Sequence, residues 1–419
     1  MTTRRQFFQG TLALTAGAAL APVFAESNTA PSAKSVAGLE TARDPKLSAH
    51  GKLLQVGFGA KRASSQPTGT APSTSVITEI SLHDFAIKQR WVNLPNAHSI
   101  LTVSGNQQLV LPLDGKAALL VQSQATIGEQ IAAPNGYLYS GHGLKLDDLV
   151  YVTLRKEHAT SATDTGLIGV LDIPRRRIVQ LLNSGAVRPH DLVAIDHGRH
   201  LAVSHYGDLN YDVSGQTSAN MREPKLVIIA VKSGRILQTL VAPDLGSLTH
   251  IAVSDDSIVC GVPLNYFGFD DQGRRGVERT LGAPQFEISV AEELEGRLAE
   301  PMPIFLFDLA SGGLRSVDGV LAKQRRAQSV VYHRASRQFL ITYTFSDSLA
   351  VVDDSAVRHV SAFDLGLNYI RGVTPIGDSD LVAVSGGFRG VALLRVSDLQ
   401  VVKRLDVSLF DSPHVRWEA

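Results

Sequence analysis

The chain has 419 residues, of which 44% are hydrophobic and only 6% are aromatic, so it is long enough to bury a large core. Forty basic and forty acidic residues give a formal net charge of zero, and this balance argues against a nucleic-acid partner, which needs a basic surface. Beyond the N-terminus, no apolar run is long enough to predict a transmembrane helix. The single cysteine, Cys260, excludes an internal disulfide, and the sequence has no CxxCH motif for covalent c-type haem.

Residues 1–25 have the features of an export signal. Arg4 and Arg5 form a twin-arginine pair, an alanine-rich apolar stretch follows, and Ala25 ends a small-residue cleavage site. Residues 26–50 are rich in Ala, Ser, Thr and Pro, which predicts a disordered leader. The sequence therefore predicts a periplasmic protein that is exported by the twin-arginine route and has no membrane span once the signal is removed.

Residues 51–419 are predicted to form an all-β domain, a seven-bladed β-propeller. Four short β-rich runs recur in each unit, and the first runs of successive units begin 42 to 79 residues apart. Periods of this size are typical of propellers. The final run, HVRWEA, is a single strand, whereas the N-terminal part offers three strands that lack an inner partner. Together they predict a last blade that is closed by strands from both termini, which leaves no exposed sheet edge.

Two insertions interrupt the repeat, each between the second and third strands of its unit. They cover residues 207–224 and 264–302, and the second includes a predicted helix, SVAEELEGRLAE. Long loops on a rigid scaffold frequently carry function. We expect both insertions to leave from the end where the first strands of the units finish, opposite the histidines. There they would bind partners or stabilise the fold.

Five of the thirteen histidines occupy one position of the repeat, at the opening of the first strand of a unit. They are His98, His142, His190, His250 and His414. The two remaining units carry Ser329, beside Gln328, and Arg371 at this position. Because equivalent positions of successive blades surround one mouth of the central channel, the five imidazoles are predicted to meet there. Among the other histidines, His205 is singled out because it stands beside Tyr206 at the edge of an insertion.

A cluster of imidazoles predicts a transition-metal site, since histidine is the commonest metal ligand and suits iron, copper and zinc. One ion would use three or four of these side chains and leave an open coordination position, and five could hold two ions or a metal-containing cofactor. Alternatively, Arg371 with Gln328 and Ser329 could help to bind an anionic or organic ligand, or the histidines could be purely structural. The sequence has no GxSxG, HExxH or P-loop motif, so it decides neither for nor against an enzyme. A non-enzymatic interaction scaffold that binds through its insertions is the other interpretation.

Three motifs carry a family resemblance: GHG at 141–143, RPHD at 188–191 and THIA at 249–252. With the twin-arginine start and the segment around Met221, they resemble a bacterial family called domain of unknown function fifteen-thirteen. Its members look like exported propellers that are often encoded near imelysin-like and di-haem proteins. The resemblance implies a periplasmic role in iron or copper handling, with iron-uptake or redox proteins as partners. Asp191 stands where the family usually has glutamate.

Overall fold

The computed structural model of the protein describes residues 50–58, 74–123, 125–161, 163–207, 224–241, 247–255, 257–264, 304–317, 327–344, 346–353, 357–409 and 413–419. Strands are the only regular secondary structure within these ranges, so the prediction of an all-β domain is confirmed. None of the described residues forms a helix of the length and apolarity needed to cross a membrane. The predicted export signal and leader, the interiors of both insertions and the predicted helix lie outside the described residues.

The described residues form 28 strands, which are numbered here in chain order. The first three are β1 (Lys52–Phe58), β2 (Ser75–Ser81) and β3 (Ile87–Val92). The next four are β4 (Ala97–Ser104), β5 (Gln107–Gly115), β6 (Ala117–Gln122) and β7 (Glu129–Ala132). They are followed by β8 (Tyr137–Leu146), β9 (Leu149–Lys156), β10 (Leu167–Asp172) and β11 (Arg177–Asn183). The fourth group contains β12 (Pro189–Ile195), β13 (His200–His205), β14 (Lys225–Ala230) and β15 (Ile236–Val241).

The second half of the chain continues this grouping. The fifth group contains β16 (Ser247–Ser254), β17 (Ile258–Leu264), β18 (Ile304–Asp308) and β19 (Leu314–Val317). The sixth contains β20 (Ala327–His333), β21 (Gln338–Tyr343), β22 (Ser348–Val352) and β23 (Val357–Ser361). The last strands are β24 (Ile370–Pro375), β25 (Leu381–Gly386), β26 (Arg389–Arg395), β27 (Gln400–Ser408) and β28 (Val415–Glu418).

Each group of four strands from β4 to β27 pairs in chain order as an antiparallel meander. An additional pairing of β5 with β8 joins the group β4–β7 and the group β8–β11 into one sheet. Strand β28 pairs with β1 and so belongs to the sheet β28-β1-β2-β3. In this pairing Lys52 lies opposite Glu418 and Gln55 lies opposite Val415. The first and last strands described are therefore neighbours in one sheet.

The core lies between neighbouring sheets. One apolar cluster combines Leu340 and Leu349 of β21 and β22 with Val382 and Leu394 of β25 and β26, and all four side chains are fully buried. Burial of such a side chain contributes about 1.5–3 kcal/mol. The strand farthest from the first strand of each group is more exposed, as Leu181 of β11 shows. Each sheet thus buries both faces against its neighbours.

The first strands of the groups, β4, β8, β12, β16, β20 and β24, contact one another in this order, and β24 also contacts β28, which contacts β4. They are called the inner strands below. The second strand of a group ends beside the start of its inner strand. The last residue of β13, His205, pairs with the first residue of β12, Pro189, and Leu264 at the end of β17 pairs with Ser247 at the start of β16. The chain therefore leaves for both insertions at the end where the inner strands begin. The expectation that the insertions leave from the opposite end is wrong, because two antiparallel strands return the chain to the end from which it started.

Candidate metal centre

A β-bulge occurs near the start of each inner strand from β4 to β24. A bulge adds one residue to a strand, bends it and changes the direction of a side chain. His98 lies within the bulge of β4, His190 within that of β12, Gln328 within that of β20 and Arg371 within that of β24. In β16 the bulge residue is Thr249, and His250 follows it.

The bulges place the functional side chains at two successive levels. A cavity of about 220 Å³ is lined by His142, His250, His414 and Ser329, together with Asp191, whereas His98, His190, Gln328 and Arg371 are not among its lining residues. The sequence places all five histidines at one repeat position, but the structure distributes them over two neighbouring positions. The reason is that a bulge turns two consecutive residues of a strand towards the same side.

The five histidines nevertheless come together, and they are called the histidine cluster below. Nε2 of His98 lies 3.1 Å from Nε2 of His142 and 3.1 Å from Nε2 of His414. Nε2 of His190 lies 3.3 Å from Nε2 of His250. The ligating nitrogens of His98, His142, His190 and His250 all lie within 4.8 Å of one another, which makes this group able to hold a metal ion.

Contacts between the rings define the shape of the cluster. Ring contacts link His98, His190, His250 and His414 in a closed cycle, with successive ring centroids 5.3, 4.9, 4.9 and 4.8 Å apart. His142 contacts all four, with centroid distances of 4.9, 4.6, 5.2 and 4.8 Å. We call this arrangement a pyramid of imidazoles, with the four linked rings as its corners and His142, which contacts them all, as its apex.

Hydrogen bonds on the outer side of the cluster fix the orientation of two rings. Nδ1 of His190 lies 3.0 Å from the carbonyl oxygen of Ser140, which can only accept, so Nδ1 carries the proton and Nε2 presents a lone pair. Nδ1 of His142 lies 3.3 Å from Oδ1 of Asp191. An acceptor behind a histidine ring in this way is typical of metal ligands, whose basicity it raises.

Asp191 is a site residue that the sequence analysis missed, since it treats this residue only as a family difference. Its carboxylate accepts hydrogen bonds from the backbone amides of Leu192 and Ile251, at 2.8 and 3.2 Å, besides facing His142. Burial raises the pKa of Asp191, while His142 and the backbone donors oppose this shift. The only signal in the sequence is that an acidic residue directly follows His190, and a bulge at this point brings both towards the site.

The absence of a side chain at Gly141 allows the ring of His98 to pack against the backbone. The φ angle of Gly141 is +103°, and a Cβ atom there would lie 2.6 Å from Cδ2 of His98. The hydroxyl of Ser99 donates to the carbonyl oxygen of Gly141 at 2.5 Å and fixes this close approach. Among the described residues, Nδ1 of His98 has no hydrogen-bond partner. A glycine before His142 is therefore required by the packing of another histidine.

Burial disfavours the charged form of four rings of the cluster. It lowers the pKa of His98, His190 and His414 well below the usual range, and repulsion from neighbouring imidazoles and, for His98 and His414, from Arg371 lowers these pKa values further. The pKa of His142 is also lowered by burial, although Asp191 opposes the shift. Neutral imidazoles are ready to bind a metal, because no proton has to be displaced.

The remaining predicted site residues lie on β20 and β24, the two inner strands that carry no histidine of the cluster. The guanidinium of Arg371 is buried and donates a hydrogen bond from Nη2 to Oε1 of Gln328 at 3.2 Å. It also lies 5.7 Å from the centre of the Tyr369 ring. Ser329, the residue after Gln328, lines the cavity. The arrangement places hydrogen-bond donors next to the histidine cluster.

His205 does not join the cluster. It is the last residue of β13, it is fully buried, and its Nδ1 lies 3.3 Å from the carbonyl oxygen of Lys225. Burial lowers the pKa of His205 to about 4. Its neighbour Tyr206 contacts His190 edge-on, with ring centroids 4.7 Å apart, and Arg188 lies 4.5 Å above the Tyr206 ring. This side of the cluster is therefore packed by aromatic and cation–π contacts.

Fold and site together define an all-β, propeller-like protein with a buried cluster of imidazoles. The chain belongs to the family described as "Protein of unknown function (DUF1513)", whose model matches residues 112–412. The resemblance found in the sequence motifs is thereby confirmed. No curated protein matches the chain.

Solved structures with a similar fold include the periplasmic gluconolactonase PpgL of Pseudomonas aeruginosa, with a TM-score of 0.55 and 14% identity over 88% of this chain and 99% of that one. Hydrazine synthase of Kuenenia stuttgartiensis is similar with a TM-score of 0.52 and 11% identity, over 80% of this chain and 90% of that one. At these identities the likeness concerns the fold alone.

Proposed function

We propose that the protein is a periplasmic seven-bladed β-propeller that binds one transition-metal ion through the histidine cluster. The pairing of β28 with β1 and the contacts among the inner strands support a ring whose last blade combines strands from both termini. The twin-arginine pattern at Arg4 and Arg5 supports export in the folded state.

The distances between the imidazole nitrogens carry the proposal. Two nitrogen ligands about 2.1 Å from one ion are separated by about 3.0 Å at a right angle and by about 3.4 Å at a tetrahedral angle. The distances of 3.1, 3.1 and 3.3 Å in the cluster lie between these values. At these distances two neutral imidazoles form an N–H···N hydrogen bond in one tautomer and face each other with lone pairs in the other, and the second arrangement is the one that binds a cation.

The donor set favours iron or copper among the metals of the periplasm. Imidazole suits iron, copper, nickel and zinc, whereas magnesium and calcium prefer oxygen ligands. Five neighbouring imidazoles also exceed the four ligands of a closed structural zinc site. The proposed role is therefore in periplasmic iron or copper handling, with iron-uptake or redox proteins of the same compartment as partners.

Elemental mass spectrometry tests the metal site on full-length protein purified from the periplasm without chelators or an affinity tag. We expect about one equivalent of iron or copper in the native protein and its loss in the double variant His142→Ala/His190→Ala, because the variant lacks the apex and one corner of the pyramid. The single variant His158→Ala is the matched control, since His158 is exposed and lies outside the cluster.

Circular dichroism shows whether each variant keeps its β-structure. A native protein that holds no metal, even after anaerobic loading with iron, copper or zinc, contradicts the proposed function. In that case an interaction scaffold or an anion-binding propeller is the better interpretation.

A further inference from the structure

The histidine cluster is open on one side, and the order of the inner strands identifies what faces this side. The five histidines lie in or directly before five consecutive inner strands, β28, β4, β8, β12 and β16, so the side opposite the middle strand, β8, carries no imidazole. His142 belongs to β8, and the inner strands farthest from β8 in the contact order are β20 and β24. These two strands carry Gln328, Ser329 and Arg371.

The side chains on that side include hydrogen-bond donors suited to an anion. The buried guanidinium of Arg371 is held in place by its hydrogen bond to Oε1 of Gln328. Ser329 lines the same cavity of about 220 Å³ as His142, His250 and His414. A guanidinium presents several N–H groups in one plane, which matches the two oxygens of a carboxylate or carbonate.

The charge of the site also favours an anion. Neutral imidazole ligands leave the full charge of a bound divalent ion in place, and Arg371 adds a positive charge close to His98 and His414. Among the described residues that line the cavity, Asp191 is the only acidic one, and its carboxylate already faces His142 and two backbone amides. An anion bound beside Arg371 and Ser329 offsets this positive charge and so stabilises the occupied site.

We propose that a small oxyanion of the carboxylate or carbonate type completes the coordination of the metal at the position opposite His142, with Arg371 as its second contact. This inference rests on the proposed metal site and names the class of ligand that the site takes. Asp191 and Arg371 then act on opposite sides of the ion: the carboxylate orients the apical histidine, and the guanidinium holds the anion.

Spectroscopy of the copper-loaded, full-length protein tests the inference. Azide serves as the reporter, because its coordination to Cu²⁺ produces a charge-transfer band, and formate serves as the competing oxyanion. We expect the band to appear on titration with azide and to disappear as formate is added. In Arg371→Gln, which keeps the polar volume but loses the charge, the affinity for azide and formate should fall about 10- to 100-fold, while Arg371→Lys should lie between.

Arg199→Gln is the matched control, since Arg199 is exposed and pairs with Asp196 outside the site; its affinity for azide should equal that of the native protein. Ser329→Ala serves as a second variant if circular dichroism shows that Arg371→Gln does not fold, and it should weaken formate binding as well.

If copper is retained but a large excess of azide leaves the spectrum unchanged, the inference is overturned and the proposed function is preserved. Equal formate affinity in the native protein and the folded variants overturns the role of the arginine side. Failure to bind copper, iron or zinc at all overturns both.

Discussion

The inner strands fall into two sets that share a backbone arrangement and differ in their side chains, called the histidine side and the arginine side. On the histidine side, β28, β4, β8, β12 and β16 contribute or directly follow the five imidazoles. On the arginine side, β20 and β24 have bulges at the same place but present Gln328 and Arg371 there. A bulge at the same place therefore occurs on both sides whatever the side chain. The residue within the bulge determines whether the site receives an imidazole, an amide or a guanidinium.

A histidine introduced on the arginine side would remove the difference between the two sides. Ser329→His places an imidazole opposite His142, where it fills the open coordination position, and the affinity of the copper-loaded protein for azide should fall more than about 100-fold. Metal content should stay the same. Titration of the charge-transfer band measures the effect, with Ser329→Ala as the comparison. Strong azide binding by Ser329→His would show that the open position lies elsewhere.

Acidification acts on the histidine side through His205, which lies beside the start of β12. Burial lowers the pKa of His205 to about 4, from an ordinary value of about 6.5. Between these values the unfolded chain binds a proton at His205 that the folded chain does not, so the contribution of His205 to the free energy of unfolding is complete above pH 6.5 and falls by about 3 kcal/mol as the pH approaches 4. Denaturant unfolding of the metal-free protein across this range should show a smaller loss in His205→Gln than in His158→Gln. Equal losses in the two variants would contradict the assignment.

A side chain at Gly141 would disturb one corner of the pyramid. Gly141→Ala should cost about 2 kcal/mol of stability, because the residue has a positive φ angle, and should also displace His98, whose Cδ2 would lie 2.6 Å from the new Cβ. Gly136→Ala is a matched control, since Gly136 has a φ of +79° and no atom within 4 Å of a new Cβ. Both variants should lose stability, and only Gly141→Ala should lose metal affinity. Calorimetric metal titration distinguishes this result from a general effect of strain.

The smallest effect on metal affinity is expected from a change at Asp191, which faces Nδ1 of His142. Asp191→Asn removes the negative charge that orients and polarises His142, and metal affinity should fall about 10-fold, or about 1.4 kcal/mol. Asp196→Asn is the control, because Asp196 faces His200 at 3.2 Å outside the cluster. A competition assay with a chelating dye measures both affinities. Unchanged affinity in Asp191→Asn would mean that the carboxylate serves only the backbone amides of Leu192 and Ile251.

The sequence predicted the all-β architecture and the meeting of the histidines, because both depend on a repeat that the apolar pattern reveals. It did not predict the two levels of the cluster, since a bulge shifts the alternation of side chains by one residue without a signature in composition. Asp191 and Gly141 were missed for a related reason: their roles depend on contacts with residues of neighbouring strands. The error about the insertions was avoidable, because counting antiparallel strands is sufficient to place their ends.

The pairing of Lys52 with Glu418 joins residues that are 418 − 52 = 366 positions apart in the chain. Contacts of such sequence separation form late and slowly, because a long loop must close before they contribute stability. His414 directly precedes β28, whereas the other four histidines lie in strands that are synthesised earlier. An ion bound by His414 and the other four histidines would therefore link the slowest contact of folding to the faster ones, and its release should weaken the pairing of β28 with β1 most. Metal occupancy should accordingly govern how fast the protein unfolds, even under conditions where its equilibrium stability is ample.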